Sequence, residues 1–520
     1  MAGFYPAIFF VLKNRMNSGA EAVFLICPDM RFWLPLIALL SVACNGNREQ
    51  KEIREGKMLA EKHCSGCHQF PQPELLDKKT WLNHVLPKMG GLLAFRHFEG
   101  ATYLENDNMP PVMKPQEWKQ IIRYYLTSSP DSLRSENAYI SIDTSFTIFK
   151  YQASPFRISP PLTSAIKILP PVGNVMFADG LSGKLYRLNN MQVTDSLMME
   201  TGISQIIPRG QDLLILSMGV MHPSDVKNGR LTLLRDGSKQ IILDSLQRPV
   251  HASLGDLNDD GQTDIVMCEF GNNAGQLSWF EKRADSGFIK HTLRPLPGAV
   301  KTILHDFNND NRPDILALMA QGDEGLFIYF NEGNGRFREE NIIRFSPAHG
   351  SDYFEMTDVN GDNHPDIIVT NGDNGDYPPI LKPYHGIRIY LNNGRNKFEE
   401  KVFLQMNGAY KVITHDFDAD GDKDLASIAY FPDYNNRPEE AFVYWQNNGN
   451  LDFRPFSIPA AASGRWLVMD AADVDDDGDE DIVLGSAKMA MGSIPQALLK
   501  RWSDASPSVV LLENKTKNEK

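Results

Sequence analysis

The sequence predicts two fold classes in one chain: a small all-α domain near the N-terminus and a larger all-β domain after it. The length of 520 residues exceeds what one hydrophobic core supports, so several domains are expected. Helical spacing of apolar residues is concentrated between residues 48 and 130, whereas short apolar runs separated by turn residues fill the chain from residue 140 onward. The net charge of −14 argues against a nucleic-acid partner.

The first 44 residues have the pattern of a targeting segment. A positive and then apolar stretch begins at Met30 and ends in Leu40-Ser41-Val42-Ala43-Cys44. Small residues before a cysteine resemble the end of a bacterial lipoprotein signal, although Ser41 stands where leucine is usual. The resemblance implies export to the periplasm, the outer membrane or the cell surface, and attachment to the membrane through a lipid on Cys44. A cleaved signal without lipid is the alternative, and translation is expected to start at Met30.

Residues 45–130 are organised around Cys64-Ser65-Gly66-Cys67-His68. C-x-x-C-H is the attachment signature of c-type haem, in which two thiols bond covalently to the porphyrin and the histidine ligates the iron. A zinc site would need a second pair of ligands, and no such pair follows. A thioredoxin-like redox pair does not need the terminal histidine. Cys64 and Cys67 are therefore predicted to hold haem covalently, with His68 as the proximal iron ligand.

Three helices are predicted around this motif. Glu49–His63 is amphipathic, Leu75–Met89 follows a proline-broken loop, and Gln116–Leu126 has apolar residues at helical spacing. This order of elements resembles the class I cytochrome c fold, and the haem motif is the specific part of the resemblance. The carbonyl of Pro71 or Pro73 is expected to orient the His68 ring.

A class I cytochrome normally has a methionine sulfur on the distal side of the haem, which raises the reduction potential. Met109 lies in an extended segment before the last helix, where the resemblance places this ligand. Met89 is the alternative, although it comes early for the fold, and Met113 is expected to be a loop or core methionine. His84 and His97 would give bis-histidine ligation, but solvent-exposed positions are expected for both.

The chain repeats after a linker at residues 131–160. Five copies of a nine-residue pattern begin at intervals of 50, 52, 58 and 57 residues, and each lies between two short apolar runs. Two earlier units have the same runs without the aspartates. Residues 161–520 are therefore predicted to form an all-β, seven-bladed propeller with four strands in each blade. The last unit lacks an outermost strand, which a stretch near Phe146–Tyr151 is expected to supply.

The repeated pattern has the spacing of a calcium loop. The copies read DLNDDGQTD, DFNNDNRPD, DVNGDNHPD, DFDADGDKD and DVDDDGDED. Side-chain oxygens at positions 1, 3, 5 and 9 can converge on a hard cation, with a backbone carbonyl at position 7. The pattern resembles the FG-GAP and VCBS repeats of exported and surface proteins, which implies calcium between the first two strands of a blade. The predicted ligands are Asp256, Asn258, Asp260, Asp264, Asp306, Asn308, Asp310, Asp314, Asp358, Asn360, Asp362, Asp366, Asp416, Asp418, Asp420, Asp424, Asp473, Asp475, Asp477 and Asp481.

The five loops fit the calcium pattern unequally. The loops that begin at Asp416 and Asp473 fit best, and the loop at Asp256 is close behind. Asn311 and Asn363 replace the glycine in the other two; asparagine tolerates a left-handed backbone, so weaker binding is expected there. The acidic excess supports bound cations, because 54 acidic and 37 basic residues follow residue 130. For any single loop, a turn without metal is the alternative.

The innermost strands and the long connections are the places where chemistry could lie. Polar residues of the innermost strands are His251, Lys301, Tyr353, Lys411, His305 and His415. We expect them to line a polar channel without chemistry, because no set of nucleophile, base and orienting group is readable. Long connections follow the second strands at Gly219–Asn228, Gly372–His385, Phe431–Glu440 and Gly485–Ser508. They should gather on one face, as a binding surface for a substrate, a glycan or the haem domain.

The sequence leaves three functions open. The favoured one is electron transfer by an exported haem c protein, whose calcium-binding propeller is a docking platform for a redox partner protein. The alternative is a propeller oxidoreductase that passes substrate electrons to the haem. A third is surface adhesion or glycan binding with an accessory haem. Trp279, Trp445 and Trp466 do not recur at one repeat position, which counts against the quinone-dependent propeller dehydrogenases.

Overall fold

The structure is a computed structural model that describes residues 33–105, 110, 112–133, 140–145, 148–284, 287–375, 379–489, 492 and 494–517, with side chains from residue 49 onward except that of Glu105. The chain divides into two compact units, Met1–Glu55 and Gly56–Lys520. Helix α1 (Trp33–Cys64) begins in the first unit and ends in the second. The predicted start of this helix at Glu49 was too late, because the helix includes the residues from Trp33 onward despite Pro35 and Gly46. No helix among the described residues has the length and apolar character needed to cross a bilayer.

The part of the second unit that precedes the propeller contains short helices and one small hairpin. A 3₁₀ turn (Pro73–Leu75) leads to α2 (Lys78–Thr80), a π-helical turn (Trp81–Val85), α3 (Leu86–Leu92), strands β1 (Phe95–Glu99) and β2 (Thr102–Glu105), and α4 (Pro115–Ser128). The second predicted helix starts three residues later than expected, because Asp77 caps it: its Oδ1 accepts from the Thr80 backbone N–H at 2.9 Å. The β1–β2 hairpin was not predicted.

Helix α4 packs its apolar face inward, as its sequence spacing predicts. Trp118, Ile121 and Tyr125 on this face are each at most 2% exposed. The rings of Trp81 and Tyr125 lie 4.3 Å apart, which joins α4 to the π-helical turn. Helices α1 and α4 approach closely at Gly56, where an added Cβ would lie 2.4 Å from the Gln120 carbonyl oxygen. Glycine is therefore required for this crossing.

Seven antiparallel four-stranded sheets follow, which are the blades of the predicted propeller. The first strand in the chain order, β3 (Phe149–Ala153), belongs to the last blade. Blade 1 is β4 to β7 (Thr163–Leu169, Asn174–Asp179, Lys184–Asn189, Gln192–Met198), blade 2 is β8 to β11 (Ile203–Arg209, Asp212–Ser217, Gly229–Arg235, Ser238–Leu246), and blade 3 is β12 to β15 (Pro249–Gly255, Asp264–Glu269, Gln276–Arg283, Gly287–Arg294). Blade 4 is β16 to β19 (Ala299–His305, Asp314–Met319, Gly325–Asn331, Phe337–Arg344), and blade 5 is β20 to β23 (Ser351–Thr357, Asp366–Asn371, Gly386–Asn392, Phe398–Gln405). Blade 6 is β24 to β27 (Ala409–His415, Asp424–Ala429, Phe442–Asn447, Phe453–Phe456), and blade 7 is β28 to β30 with β3 (Trp466–Ala472, Asp481–Ser486, Val509–Asn514).

The ring is closed in two ways. The first strands of successive blades contact one another, and β28 of blade 7 contacts β4 of blade 1. Strand β3 pairs with β30, with Phe149 opposite Asn514 and Tyr151 opposite Leu512. The prediction that a stretch near Phe146–Tyr151 completes the last blade is therefore confirmed, although residues 146 and 147 lie outside the described residues. Two ends of the propeller segment share one sheet, so that neither end can leave without breaking a blade.

Antiparallel pairing sorts the connections onto two faces. The aspartate loops join the first and second strands of blades 3 to 7 and lie with the hairpins between third and fourth strands; we call this the aspartate face. The connections after the second strands lie on the opposite side, the loop face. Contacts join these connections: the Tyr430 hydroxyl donates to the Ala487 carbonyl at 3.0 Å, and the Asn273 N–H donates to Asp225 at 2.9 Å. A helix, α5 (Gln496–Ala505), and a 3₁₀ turn at Pro438–Ala441 also occupy these connections, and a 3₁₀ turn at Ala461–Ser463 lies between blades 6 and 7.

Candidate functional site

The two cysteines of the C-x-x-C-H motif lie where α1 ends. Cys64 is the last residue of the helix, and the Cys67 N–H donates to its carbonyl at 3.4 Å, which forms a tight turn. Both thiols are free; Cys64 is half-buried and Cys67 is exposed. Burial, with a smaller contribution from Cys67, raises the pKa of Cys64 to about 11. A catalytic redox C-x-x-C pair has a lowered thiol pKa, so this environment argues against that alternative.

The ring of His68 and the loop after it are held by different partners from those expected. The His68 Nδ1 lies 2.8 Å from the Gln69 carbonyl oxygen and donates to it, which leaves Nε2 for a metal. The expectation that Pro71 or Pro73 orients this ring was wrong. The Pro71 carbonyl accepts from the Tyr125 hydroxyl at 2.9 Å, and the Pro73 carbonyl accepts from Trp81 Nε1 at 2.8 Å. These two bonds fix the loop through helix packing, which spacing alone could not reveal.

Buried polar atoms without partners surround this part of the chain. The His63 Nε2, Tyr103 hydroxyl and Trp118 Nε1 atoms are buried and make no hydrogen bond to any described residue. Gly90 lies against two of these rings, since an added Cβ would be 2.9 Å from Tyr103 and 3.2 Å from Trp118. Protein interiors rarely leave such groups unpaired. These three atoms could therefore form hydrogen bonds to a bound cofactor.

The predicted distal ligands lie in different environments. Met89 on α3 is half-buried, and Met113 before α4 is 6% exposed. Met109 lies outside the described residues. The expectation of solvent-exposed histidines was wrong: His84 and His97 are both half-buried, and the His97 Nε2 lies 2.9 Å from the Gly100 carbonyl oxygen. The donor set of two free thiols and an imidazole with Nε2 available fits a covalently bound haem.

The first aspartate of each calcium-type loop organises its own turn. In the loop at Asp416, the carboxylate accepts from the Asp420 and Gly421 N–H groups, both at 3.1 Å. The sixth position is left-handed in all five loops, with φ of +64° at Asn311 and +65° at Asn363 in the two loops that lack glycine. The expectation that asparagine adopts this conformation is confirmed.

The carboxylates converge in two of the five loops. Asp416, Asp418 and Asp420 bring one oxygen each within 4.8 Å of the others, and Asp473, Asp475 and Asp481 do the same. Both sets are those that the sequence predicts to bind best. Burial raises the pKa of Asp418, and Asp420 raises it further. A divalent cation would relieve this crowding of like charges.

Internal hydrogen bonds replace this convergence in the other three loops. In each of them the asparagine at position 3 donates its side-chain amide to the aspartate at position 5: Asn258 to Asp260 at 3.2 Å, Asn308 to Asp310 at 3.0 Å and Asn360 to Asp362 at 3.0 Å. In the loop at Asp306, the Arg312 guanidinium also lies 2.5 Å from Asp310. The positive charge of Arg312 therefore already neutralises Asp310, one of the predicted calcium ligands of that loop.

The ninth aspartate of every loop ties two strands together. Asp264, Asp314, Asp366, Asp424 and Asp481 are each 0% exposed. In each, Oδ2 accepts from the N–H of the second loop residue, and Oδ1 accepts from an N–H at the end of the third strand. Burial raises the pKa of Asp424 and of Asp481 to about 7. These carboxylates hold the blade together whether or not they also ligate calcium.

An asparagine at the end of the third strand joins neighbouring blades, and the sequence interpretation missed it. Asn331 of blade 4 donates to the Leu257 carbonyl of blade 3 at 2.8 Å. Asn514 of blade 7 donates to the Phe417 carbonyl of blade 6 at 2.7 Å. Asparagine recurs at this position in four blades, as Asn331, Asn392, Asn447 and Asn514. That recurrence was a readable signal.

The residues expected in the central channel contact side chains and carbonyls of the neighbouring strands and loops. Lys301 lies 3.8 Å from the centre of the Tyr353 ring and 3.4 Å from Glu355, and Lys167 contacts Asp470 at 2.9 Å. Lys411 donates to the Met469 carbonyl at 2.7 Å. Burial, then Lys301 and Lys411, lowers the pKa of His251 to about 3, so that this histidine is neutral. His305 packs on Phe307, and His415 lies 3.9 Å from Glu480.

The loop face contains a buried polar cluster next to the helical segment. The Tyr384 hydroxyl donates to the Leu75 carbonyl at 2.8 Å, and the ring of Tyr384 lies 5.2 Å from that of His349. Burial lowers the pKa of His349 to about 4 and raises that of Glu324 to about 8. The pKa of His385 is also lowered by burial, and its Nε2 makes no hydrogen bond to any described residue. Of these three groups, Glu324 has the pKa closest to 7, the range in which a side chain can exchange protons at neutral pH.

Comparison with known proteins identifies the repeats. Three overlapping stretches, 306–369, 358–427 and 416–484, match the family described as FG-GAP-like repeat. A T-cell immunomodulatory protein homolog from Plasmodium falciparum (isolate 3D7) is 27% identical over 144 residues, which is 24% of this chain and 19% of that protein. This chain therefore matches about a fifth of that relative's length.

A solved structure with a similar chain trace is a chain from an S. cerevisiae complex of Dbp5 with Nup159, Gle1, IP6 and ADP. It is 9% identical, with a TM-score of 0.41, over 72% of this chain and 97% of that chain. The matched repeats extend from the aspartate loop of blade 4 to the second strand of blade 7. The chain contains FG-GAP-like repeats, and its β-sheets form a seven-bladed propeller.

Proposed function

We propose that the protein is an exported electron-transfer protein with covalent haem c, in which a calcium-binding propeller serves as a docking platform. The observation that carries the proposal is the C-x-x-C-H turn at the end of α1. Its thiols are free, the pKa of Cys64 is raised rather than lowered, and His68 has one ring nitrogen fixed and the other available. A covalent haem site requires two free thiols and an available imidazole nitrogen, whereas a catalytic dithiol requires a lowered thiol pKa.

Each residue near the motif has a stated role in this proposal. Cys64 and Cys67 would hold the haem through thioether bonds, and His68 would bind the iron. Met109 would be the distal ligand, with Met89 as the alternative. When bound, the haem supplies one-electron transfer, and a methionine ligand keeps its potential high. The Tyr125 and Trp81 hydrogen bonds hold the loop that follows His68 in place.

The haem test is spectroscopic. The full chain, produced with a c-type haem maturation system, should bind haem that survives acid–acetone extraction, and a variant with Cys64→Ala and Cys67→Ala should not. Met109→Ala should abolish the weak band at the red end of the visible absorption spectrum that marks a methionine–iron bond, whereas Met113→Ala should not. Retention of this band in Met109→Ala together with its loss in Met89→Ala would assign Met89. Absence of covalent haem from the wild-type chain, in which both cysteines are present, would refute the proposal.

Calcium is proposed for the loops at Asp416 and Asp473 first, because their carboxylates converge. The loop at Asp306 is proposed as the weakest, because Arg312 contacts its Asp310. Equilibrium dialysis should therefore show two tight sites before any weaker ones. Asp418→Asn and Asp475→Asn should each remove one tight site, whereas Asp236→Asn, in a turn of blade 2, should remove none. An unchanged stoichiometry in both loop variants would contradict calcium binding there.

Export and lipid attachment at Cys44 remain part of the proposal. Mass spectrometry of the mature N-terminus is the direct test: a diacylated peptide that begins at Cys44 is expected. A mature chain that retains residues 1–29 would contradict both the signal and the start at Met30. Partners would then be a redox protein and the membrane to which the lipid attaches the chain.

A second function, a propeller oxidoreductase, is supported by the polar cluster on the loop face. Glu324, His349 and His385 have shifted pKa values there, and Tyr384 of the same connection contacts the helical segment at Leu75. A substrate oxidised at this cluster would lie next to the segment that follows the haem motif. Haem reduction by a panel of sugars and alcohols, without an added donor, would favour this enzyme. Reversible exchange with redox proteins alone would favour the carrier.

A further inference from the structure

The connections of blades 5, 6 and 7 enclose a cavity of about 230 Å³ on the loop face. We call it the Arg465 cavity. Its walls include Asn374, Leu381, Phe431, Tyr434, Asn436 and Arg465. At about 30 Å³ for each water in the liquid, it has room for about seven waters or one small organic molecule.

Arg465 is a buried cation without a counter-ion. It is 1% exposed, and no carboxylate forms an ion pair with it in the described part of the chain. Its Nε donates to the Tyr430 carbonyl at 3.1 Å, its Nη1 donates to the Met489 carbonyl at 2.6 Å, and its guanidinium lies 3.8 Å from the Tyr430 ring centre. Three contacts fix the side chain. The third nitrogen, Nη2, makes no hydrogen bond to a described residue.

A second donor without a partner lines the same cavity. Tyr434 is 7% exposed, and its hydroxyl lies beside the Arg465 guanidinium, although neither this hydroxyl nor Arg465 Nη2 makes a hydrogen bond of ordinary geometry among the described residues. Burial raises the pKa of this hydroxyl, so it keeps its proton and remains a donor. Buried donors are seldom left unpaired, and a buried charge is costly without an opposite charge. The two donors together suit one oxyanion.

The remaining wall suits the body of a hydroxylated molecule. Pro379, Leu381 and Phe431 supply apolar surface. The side-chain NH₂ groups of Asn374 and Asn436 donate to the Ile380 carbonyl and to the Asp433 carboxylate, both at 2.8 Å. The side-chain oxygens of the two asparagines therefore remain as acceptors. Acceptors of this kind bind hydroxyl groups. The Asp433 carboxylate accepts from the Asn435 and Asn436 N–H groups within its own turn.

Comparison of equivalent positions shows that Arg465 is not a requirement of the repeat. The residue before the first strand is glycine in four blades, as Gly202, Gly298, Gly350 and Gly408. Arg248 is the equivalent residue of blade 3, and its Nη1 and Nη2 both donate to carbonyls, of Gly271 and Met221. Arg248 does not line the cavity. An arginine with a spare Nη nitrogen is therefore specific to blade 7 and to this cavity.

We propose that the Arg465 cavity binds a small hydroxylated carboxylate of the sugar-acid class. The carboxylate accepts from Arg465 Nη2 and the Tyr434 hydroxyl, and the hydroxyl groups donate to the Asn374 and Asn436 oxygens. Phe431 and Leu381 cover the carbon skeleton. The site does not depend on the haem, so it can be correct where the electron-transfer proposal fails.

The test is titration calorimetry on the full chain with galacturonate, its uncharged counterpart galactose, inorganic phosphate, and the galacturonate tetramer. Galacturonate should bind with saturation, and galactose at least tenfold more weakly. Tyr434→Phe should weaken galacturonate binding about tenfold and Arg465→Met about a hundredfold, since each removes a hydrogen bond to a charged group. Arg248→Met, at the equivalent but half-buried arginine of blade 3, should leave the affinity unchanged. A tighter tetramer would indicate the acidic end of a polysaccharide, and equal affinities a free acid.

Four results would overturn the assignment. They are no binding of galacturonate at millimolar concentration, equal binding of galactose by the wild type, tighter binding of phosphate than of galacturonate, and unchanged galacturonate affinity in Tyr434→Phe. If Arg465→Met does not fold, Arg465→Lys keeps the charge with a different donor geometry and should still lower the affinity. The circular dichroism spectrum of each variant separates loss of binding from loss of folding.

Discussion

Asn331 gives the sharpest test of how the blades are held together. Its side chain is 1% exposed and makes three hydrogen bonds. The amide donates to the Leu257 carbonyl of the preceding blade at 2.8 Å and to the Pro313 carbonyl at 3.2 Å, and the side-chain oxygen accepts from the Gly333 N–H at 3.0 Å. Truncation to alanine therefore removes one bond between blades and two within blade 4.

The magnitude follows from these three bonds. A net loss of about 1 kcal/mol for each bond, plus about 1 kcal/mol for leaving the buried Leu257 carbonyl unpaired, gives about 4 kcal/mol for Asn331→Ala. Asn331→Asp should be worse by about 2 kcal/mol, because a carboxylate oxygen would replace the donor and face the Leu257 carbonyl oxygen. This order, aspartate worse than alanine, is opposite to what loss of side-chain volume would give.

The assay is urea unfolding followed by tryptophan fluorescence, with calcium present and again with a chelator. With an m-value of about 3 kcal/mol per molar urea, Asn331→Ala should lower the midpoint by about 1 M. Asn341→Ala in the same blade is the control, because its amide bonds are 3.4 Å long and its side chain is exposed. A midpoint equal to that of the control, or Asn331→Asp no worse than Asn331→Ala, would refute the assignment of a tie between blades.

Three further predictions concern other parts of the chain. Gly56→Val should open the segment 56–130 to limited proteolysis, because its Cβ would lie 2.4 Å from the Gln120 carbonyl oxygen. Gly91→Val is the control and should not, because no atom lies within 4 Å of its Cβ. Equal protection of both variants would contradict the close crossing of α1 and α4. Arg312→Gln should add one calcium site by freeing Asp310, as counted by equilibrium dialysis, and an unchanged count would mean that the guanidinium is not what weakens that loop. Glu324 holds its proton in the folded state up to a pKa of about 8, whereas the unfolded state ionises near 4.5, so its contribution to stability falls as the pH rises from about 4.5 to 8. From pH 5 to 8, urea unfolding should show the wild type losing on the order of 3 kcal/mol more than Glu324→Gln, with the exposed Glu399→Gln as the control, and parallel curves would contradict the buried proton.

Sequence patterns that depend on neighbouring residues were readable in advance. The C-x-x-C-H turn, the five aspartate loops, the left-handed asparagines and the strand order all follow from short-range spacing, and the repeat implied seven blades closed by a strand from the N-terminal side. Ring closure was predictable because a propeller cannot leave one blade a strand short. The confirmed pairing of Phe149–Ala153 with Val509–Asn514 shows how far that argument reaches.

Contacts between residues far apart in the chain were decided only by the tertiary structure. The sequence predicted the ninth aspartates as calcium ligands. In the structure both carboxylate oxygens of each also accept hydrogen bonds from backbone N–H groups. The sequence suggested that the Pro71 carbonyl orients His68. In the structure this carbonyl accepts from the Tyr125 hydroxyl, 54 residues away in the chain. Nothing in the sequence singled out Arg465 and Tyr434, because a buried donor without a partner exists only once distant connections enclose a cavity. Spacing along the chain determines local hydrogen bonds, and burial determines which polar groups remain without partners.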